Sequence, residues 1–574
     1  MALYWRDDAA RAEAERIADA AIGAIGFCCA ARFPRGVVLT EAATSVVAMA
    51  DGAGVVIGEL FARGSARRID RLDTAAARAI AADSAVLIND YWGEYVALLA
   101  SRDDPQVLRD PSGACACYTL GDQGVAVIMS DVAIATTLGL IDGAINWLVL
   151  AQWLAHPGIR TEATCLVRVD EILPGTAWSF AAESRFRRTV WTPWSFAAPD
   201  RQFADRKEAV DALRKTALLA TKACAAQSTS ALLEMSGGLD SSIVAACLRN
   251  ADVPITCVSL WAPDPGADER RYAQAVADHI KAPIHFVRLA AEDVDLAAIS
   301  PIRKPRPVDH PLKRAADLAL EREGLDRNVD SFFSGSGGDF VLGYLTSSAP
   351  AADALLARGP GVAFWKAVAD VAALHDCSVW KVAALAARKA KRRGAGGTSA
   401  ERPFLSDAVR ARDAPPHPWL DAPRLHWPGK REQIDSLIRC QGIREERDRR
   451  RIAPLRMPML TQPMVEACLR VPSWMAVTGG RNRAVARDAF ADDLPSKILQ
   501  RRTKGNFTAF NAALFARHRG ALREMLLDGR LTAQGLLDRS ALAAYFSTDR
   551  PLADTAYTAV LDLAAAELWT HGWR

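Results

Sequence analysis

Two short segments of the 574-residue chain carry the residue types that handle phosphate. Met235-Ser236-Gly237-Gly238-Leu239-Asp240-Ser241-Ser242 follows an apolar run, Ala231-Leu232-Leu233, that reads as a buried strand. Its paired glycines let the backbone turn tightly and approach an anion, and its three hydroxyls can donate to phosphate oxygens. The next residues, Ile243-Val244-Ala245-Ala246-Cys247-Leu248, begin a helix whose N-terminus carries positive partial charge. Asp240 adds a hard oxygen ligand suited to magnesium. A second strand, Ser331-Phe332-Phe333, ends in Ser334-Gly335-Ser336-Gly337-Gly338-Asp339, again a glycine-rich turn that closes on a carboxylate. Two carboxylates from separate strand ends can hold magnesium on the pyrophosphate of ATP, neutralising the leaving group while the α-phosphorus is attacked. Neither segment is a Walker A loop, because the four-residue gap and the Gly-Lys-Ser/Thr ending are missing. Alone, each is an ordinary strand-to-helix turn; as a pair ending in aspartate, they read as a nucleotide site.

The elements needed to position these loops alternate along the chain. A helix over 207–226, a strand over 231–235, a helix over 241–249, a strand over 255–261, a helix over 268–280 and a strand over 284–289 predict a doubly wound parallel sheet. In such sheets ligands bind beyond the carboxyl ends of the strands, where the 236–242 loop falls. The backbone of Val258 on the second strand can read an adenine edge. A loop near 196–207 divides the chain into residues 1–200 and 201–574. In the first part, a helix over 9–25 with Asp7 or Asp8 as cap, strands over 28–33, 54–61, 92–99 and 124–129, and helical patterns over 73–86 and 131–155 predict an α+β sandwich. In the second part, helices around 364–391 run into a basic stretch, Arg388 to Arg393, that gives way to glycines by residue 397. That stretch reads as solvated surface, or alternatively as a contact for an acidic peptide or partner.

Composition narrows the class further. Half of the residues are hydrophobic and 24% are charged, so there is material for a large core and at least two domains. No apolar run of about eighteen residues occurs and no basic region precedes an apolar stretch at the amino terminus, so a cytoplasmic protein without membrane contact is expected. Eleven scattered cysteines read as buried small hydrophobes, with Cys28 and Cys29 in the core of a strand. Neither the Cys115/Cys117 pair nor the nine histidines has zinc-ligand spacing, and a net charge of +4 does not argue for nucleic acid.

The first loop resembles the pyrophosphate loop of the ATP pyrophosphatases, and the order of motifs along the chain resembles the asparagine synthetases. Trp92-Gly93-Glu94, Arg109-Asp110-Pro111-Ser112-Gly113 and Leu173-Pro174-Gly175 are similar to segments of their glutaminase-type domain. The Ser334–Asp339 segment, Arg456 to Pro463, Gly479-Gly480-Arg481-Asn482-Arg483 and Leu494 to Gly505 follow their synthetase domain. The resemblance implies an Ntn-type, glutaminase-like α+β sandwich followed by an α/β ATP-pyrophosphatase domain with a doubly wound parallel sheet. It also implies ATP and Mg2+ as cofactors, with magnesium on Asp240 and Asp339. ATP would lie against Met235, Ser236, Gly237, Gly238, Asp240, Ser241, Ser242, Val258, Ser334 and Gly335, and Lys504 would sit over the phosphates. The ordinary alternative for Lys497, Arg501, Arg502 and Lys504 is a helix end favoured by the macrodipole.

In those synthetases a cysteine follows the initiator methionine and hydrolyses glutamine; here the residue is Ala2, which has no nucleophile. Two relatives without glutaminase activity fit. β-Lactam synthetases carry a tyrosine three residues before the second aspartate, where this chain has Ser336, so their dyad is not recognisable. Leu460 to Pro463, Gly479 to Arg483 and Arg501-Arg502-Thr503-Lys504-Gly505 look most like the lasso peptide cyclases. That resemblance implies adenylation of an Asp or Glu side chain of a precursor peptide, macrolactam closure on its amino terminus, and a leader peptidase as partner. The alternatives are a β-lactam-type or ammonia-dependent ligase acting on a small molecule, and a degenerate peptide-binding scaffold. No base for the amine is assigned; Glu445, Glu446 and Asp448 are near in sequence and read instead as partners of neighbouring arginines on a helix.

Overall fold

Alternation in Ala2-Leu3-Tyr4-Trp5 sends Leu3 and Trp5 to one side of a strand and Ala2 and Tyr4 to the other, and both sides are buried. We describe a computed structural model covering residues 1–100, 104–122, 124–180, 186–264, 266, 268–296, 303–308, 310–392, 402–423, 426–445, 447–502, 505, 507–548 and 556–574. The 2–5 strand lies inside a six-stranded antiparallel sheet, in the order 169–171, 118–122, 125–129, 2–5, 36–40, 28–33. A seven-stranded sheet, in the order 187–189, 176–179, 106–109, 91–99, 54–62, 46–49, 71–72, stacks on it. Ala2, Tyr4, Val38 and Ile128 of the first meet Val55, Val96, Leu98 and Trp178 of the second in a shared core. The helix Asp8–Ile25, capped by Asp7 through the Ala10 amide (2.9 Å), covers the outer face of the first sheet with Ala14, Ile17 and Ala21. Thr74–Ala82 covers the outer face of the second with Ala77 and Ile80. The result is a helix–sheet–sheet–helix sandwich.

Two expectations are corrected: the helical pattern over 131–155 resolves into Val132–Thr137 and Trp147–Ala155, and two cysteines lie outside the core. Cys28 and Cys29 are exposed, because Cys28–Phe33 is the edge strand of the first sheet rather than a core strand. Of the other cysteines, seven are buried and all are free.

The third sheet has five strands, all parallel, in the order 284–288, 255–261, 231–234, 331–334, 455–456. The helices Arg206–Ala225, Leu239–Arg249, Arg270–Ile280 and Pro311–Asp326 alternate with its strands. The apolar runs Leu232-Leu233 and Phe332-Phe333 are almost wholly inaccessible, as strands covered on both faces must be. The periodic segment 364–391 resolves into Val362–His375 and Val379–Arg392, broken at Asp376, which adopts a left-handed conformation (φ 48°). No helix among the described residues is long and apolar enough to cross a membrane.

Buried charge ties the sandwich to the parallel-sheet part. Glu171 accepts from Arg109 (2.7 Å) and Arg160 (3.1 Å) and pairs with Arg306; Arg160 also donates to Glu445 (2.8 and 2.9 Å). Burial alone would push Glu171 up, but the three guanidiniums outweigh it and hold the carboxyl well below its usual range. Asp448 pairs with Lys304 and Arg314 (both 3.0 Å). Glu445 and Asp448 are therefore partners of cations, as the sequence suggested, but the cations come from distant segments rather than from the same helix. Glu446 lies outside the described residues. The Gln462 amide donates to Ile88 O (2.9 Å), so the Leu460 to Pro463 motif serves the junction between the two parts.

Candidate active site

The strand Ala231–Glu234 occupies the middle of the parallel sheet, and its carboxyl end turns at Gly237, which holds φ +67°. A side chain there would clash with the neighbouring helix, since a Cβ would lie 2.5 Å from Ala273 N. The chain then enters Leu239–Arg249, whose cap, Gly238, brings no side chain to its first-turn amides. Those amides and the Ser236 and Ser241 hydroxyls, 3.2 Å apart, form one end of the site.

The neighbouring strand Ser331–Ser334 runs in register, with Glu234 opposite Ser334, so the second glycine loop leaves the sheet at the same level as the first. The two loops interlock without side chains between them. A Cβ on Gly335 would lie 2.4 Å from Ser241 N, and one on Gly338 would lie 2.4 Å from Asp240 Cγ. This contact is the physical reason for glycine at both positions, and it brings Asp339 beside Asp240.

Arg483 closes the arrangement. From a left-handed backbone position (φ 55°) after the 478–481 turn, its Nη1 donates to Asp240 Oδ1 (2.9 Å) and Oδ2 (3.0 Å) and to Asp339 Oδ1 (2.6 Å). The guanidinium also lies 5.1 Å from the ring centre of Tyr344. Above these groups is a cleft of about 400 Å3, within the range of small-molecule sites. Lys313, Arg439, Arg447, Arg487 and Arg502 join Arg483 and Arg501 in lining it, against the carboxylates Glu234, Asp240 and Asp339. Burial, and then Arg483 and Arg481 beside it, bring the Arg487 guanidinium down to about 10. Seven cations facing three anions suit a polyanion such as a triphosphate.

Glu234 lies at the floor of the cleft, where it accepts from Ser334 Oγ (3.0 Å) and Arg449 (2.7 Å). Burial pushes its carboxyl up, but Arg449 and Arg447, with those hydrogen bonds, overcome this and hold it at about 2. It is an acceptor in this setting rather than a proton carrier at neutral pH.

The basic segment is tethered at both ends. Arg501 donates to Gly237 O (3.0 Å), pairs with Glu269 and stacks 3.9 Å from the Tyr272 ring centre; Glu269 also accepts from Gly505 N (2.7 Å). Lys504, between these anchors in sequence, lies outside the described residues.

Of the residues expected around ATP, Ser236, Gly238, Asp240, Ser241, Ser334 and Gly335 line the cleft, as does Asp339, expected on magnesium, while Gly237 forms the turn. Met235 and Val258 do not: both side chains are buried, and Val258 O accepts from Met235 N (2.8 Å) within the sheet. Ser242 is fully buried and donates to Gly238 O (2.7 Å), so it shapes the turn. Sequence reasoning missed Glu234, Lys313, Arg439, Arg447 and Arg487, and left Arg483 without a role although it ends the Gly479-Gly480-Arg481-Asn482-Arg483 motif. Single cations far away in sequence gave no signal.

Among the described residues no group of three or more His, Cys, Asp or Glu side chains is placed to hold a metal. Asp240 and Asp339 both reach a single Arg483 nitrogen, which fits a magnesium that takes one or two carboxylates and completes its shell with phosphate oxygens and water.

Comparison with known proteins agrees at the level of the family. The model of the family described as asparagine synthase matches residues 212–571. No curated protein matches the chain. Among solved structures, that of the allosteric regulatory enzyme of purine biosynthesis aligns at 10% identity and a TM-score of 0.17, covering 42% of this chain and 61% of that one. At that TM-score the likeness carries no weight.

Proposed function

We propose, on the premise that this chain belongs to the asparagine synthase family, that it activates a side-chain carboxylate of a peptide with ATP and closes it on the amino terminus of the same peptide. The coarse activity, ATP-dependent amide-bond ligation, follows from the family; peptide substrate and ring closure are the proposal. The observation that supports the ATP chemistry in this proposal is the convergence of Asp240, Asp339 and Arg483 beneath a cationic cleft at the ends of two parallel strands.

In this reading the carboxylate attacks the α-phosphorus, pyrophosphate leaves, and an amine then displaces AMP from the acyl-adenylate, losing one proton. The first-turn amides of the 239–249 helix, Ser236 and Ser241 would receive phosphate oxygens, and Asp240 and Asp339 would hold magnesium. Bound magnesium offsets charge on the pyrophosphate. Arg501 and Arg502, with Lys504 as proposed neighbour, would stabilise negative charge that grows at the α-phosphorus.

The source of the amine is argued from the sandwich, read here as glutaminase-like. Ala2 faces a cavity of about 750 Å3 between the sheets, with a methyl group and no nucleophile. Cys115 and Cys117 line the same cavity, but burial pushes both thiols up, Cys117 to about 12, so neither offers a thiolate near neutral pH. This supports an amine that the substrate carries, whose tethering gives a high effective concentration. The similarity of Leu460 to Pro463, Gly479 to Arg483 and Arg501 to Gly505 to lasso peptide cyclases supports a precursor peptide.

The test is incubation with Mg-ATP and linear peptides that bear an internal Asp or Glu. AMP, pyrophosphate and a product lighter by one water are expected. Turnover of free aspartate with ammonia in place of peptide overturns ring closure, and peptide binding without AMP formation points to a scaffold.

A further inference from the structure

The helix pair Val362–His375 and Val379–Arg392 brings two properties together on one surface. Five large apolar side chains stand in water within 24 residues of sequence: Val362 (87% exposed), Trp380 (72%), Trp365 (44%), Leu385 (41%) and Val379 (39%). The rings of Trp365 and Trp380 meet edge to face at 5.8 Å, forming one aromatic ledge. Charge is the second property. Residues 362–392 hold six of the 71 lysines and arginines and two of the 67 aspartates and glutamates, so the remaining 65 cations and 65 anions balance. The whole net charge of +4 therefore matches the excess of this one hairpin.

The placement of these charges is uneven. Asp370 is engaged on the inner side, where it accepts from Gly479 N (2.7 Å), and Lys389 pairs with Glu432. Lys366, Lys381, Arg388, Lys391 and Arg392 are exposed, with Asp376 as the exposed acid. The inner faces are satisfied: Phe364, Val368, Val371, Val382 and Ala386 pack in a core of their own with the helix Ala349–Arg358. Folding thus has no use for the outward tryptophans, and exposed apolar groups of this size beside cations mark a contact surface.

We infer that this face docks on an anionic phospholipid surface. Tryptophan rings seat at the headgroup level of a bilayer, aliphatic side chains enter just below, and lysine and arginine stems lie along the boundary with their charges on lipid phosphates. Four to eight cations on an amphipathic helix are the pattern that anionic leaflets attract, and Val379–Arg392 carries five. Peripheral docking needs no spanning helix. The lack of an apolar span among the described residues bears on crossing a membrane and not on docking against one. None of the side chains named here lines the nucleotide cleft, so the inference stands apart from the ligase reading. The cleft and the docking face share one brace. The helix that carries Trp365 also holds, through Asp370 and Ala373, the Gly479-Gly480 turn that leads to Arg483.

The experiment is flotation of the full chain with vesicles of phosphatidylcholine alone and of phosphatidylcholine with one-third phosphatidylglycerol. The chain is expected to float with the anionic vesicles at low salt, to be released at high salt, and to stay unbound with neutral vesicles. Each cation near the surface is worth about fivefold in partition, so the triple variant K381Q/R388Q/K391Q is expected to bind about a hundredfold more weakly. Trp380→Ser should lower partition by about tenfold with the melting temperature unchanged. The variant K222Q/K281Q, with two exposed lysines elsewhere, should bind as the parent does. No flotation, equal flotation with neutral vesicles, or undiminished binding by the triple variant overturns the inference. Retention on immobilised polyglutamate without flotation also overturns it, moving the surface to an acidic protein partner.

Discussion

At the scale of single residues, the site rests on one guanidinium shared by two carboxylates. Asp240 and Asp339 would repel each other without Arg483 or a bound cation between them, and a lysine in place of Arg483 offers a compact, strongly hydrated ammonium without the planar group that lies 5.1 Å from the Tyr344 ring centre. Asp240→Ala and Asp339→Ala are each expected to lower the rate of AMP release by about a hundredfold or more, measured by pyrophosphate production at saturating ATP. Arg483→Lys is expected to retain the fold and lose about tenfold or more. Equal turnover in Asp339→Ala and the parent would remove this carboxylate from the proposed chemistry. These two aspartates were legible in the sequence because each ends a glycine loop behind an apolar strand. Arg483 was not assigned, since nothing in a run of Gly-Gly-Arg-Asn-Arg says which arginine turns inward. The left-handed backbone at 483, set by the turn before it, makes that choice.

At the scale of elements, sequence alternation was enough to place the parallel sheet, because strands buried on both faces read as short apolar runs between amphipathic helices. The boundaries moved by a residue or two, and the helix after the first loop starts at Leu239, which puts Asp240 in its first turn. What periodicity could not show is the interlocking of the loops. Gly335 and Gly338 are needed for the approach of the 238–241 segment rather than for their own conformation, since neither has positive φ. Gly338→Ala is therefore expected to displace Asp240 and abolish most AMP formation, while costing about 1–3 kcal/mol of stability in a urea titration. The exposed Cys28 and Cys29 show the opposite failure. A short run of small residues has the same pattern in a core strand and at a sheet edge, and only the topology distinguishes them.

At the scale of the whole molecule, the two parts are joined by charge that neither could bury alone. Glu171 is wholly inaccessible and faces Arg109, Arg160 and Arg306, two of them from the sandwich part and one from beyond residue 300. Glu171→Gln leaves three buried cations short of a partner and is expected to cost about 3–5 kcal/mol, read as an earlier unfolding midpoint. The sign of the pH dependence follows from the lowered carboxyl. In the unfolded chain Glu171 takes a proton at its ordinary pKa of 4.5, whereas in the folded chain it does so only at lower pH. Its contribution is thus fully present above that value and is lost as pH falls through it toward the folded value. Unfolding midpoints of the parent should drop on acidification below about pH 4.5, and Glu171→Gln should flatten that drop. None of this network was readable from spacing, because a single bonded pair in it, Arg160 and Glu445, spans 285 residues.

The same separation governs when the cleft first exists. Arg483 meets Asp240 across 243 residues and Asp339 across 144, and no local segment contains all three. A chain still being synthesised has both carboxylates long before the arginine that bridges them, so it cannot complete the site until most of its length has emerged and docked. Contacts of such long range form late in folding. Competence to spend ATP would arrive in a single step near the end of assembly, and partial chains would leave the nucleotide pool untouched.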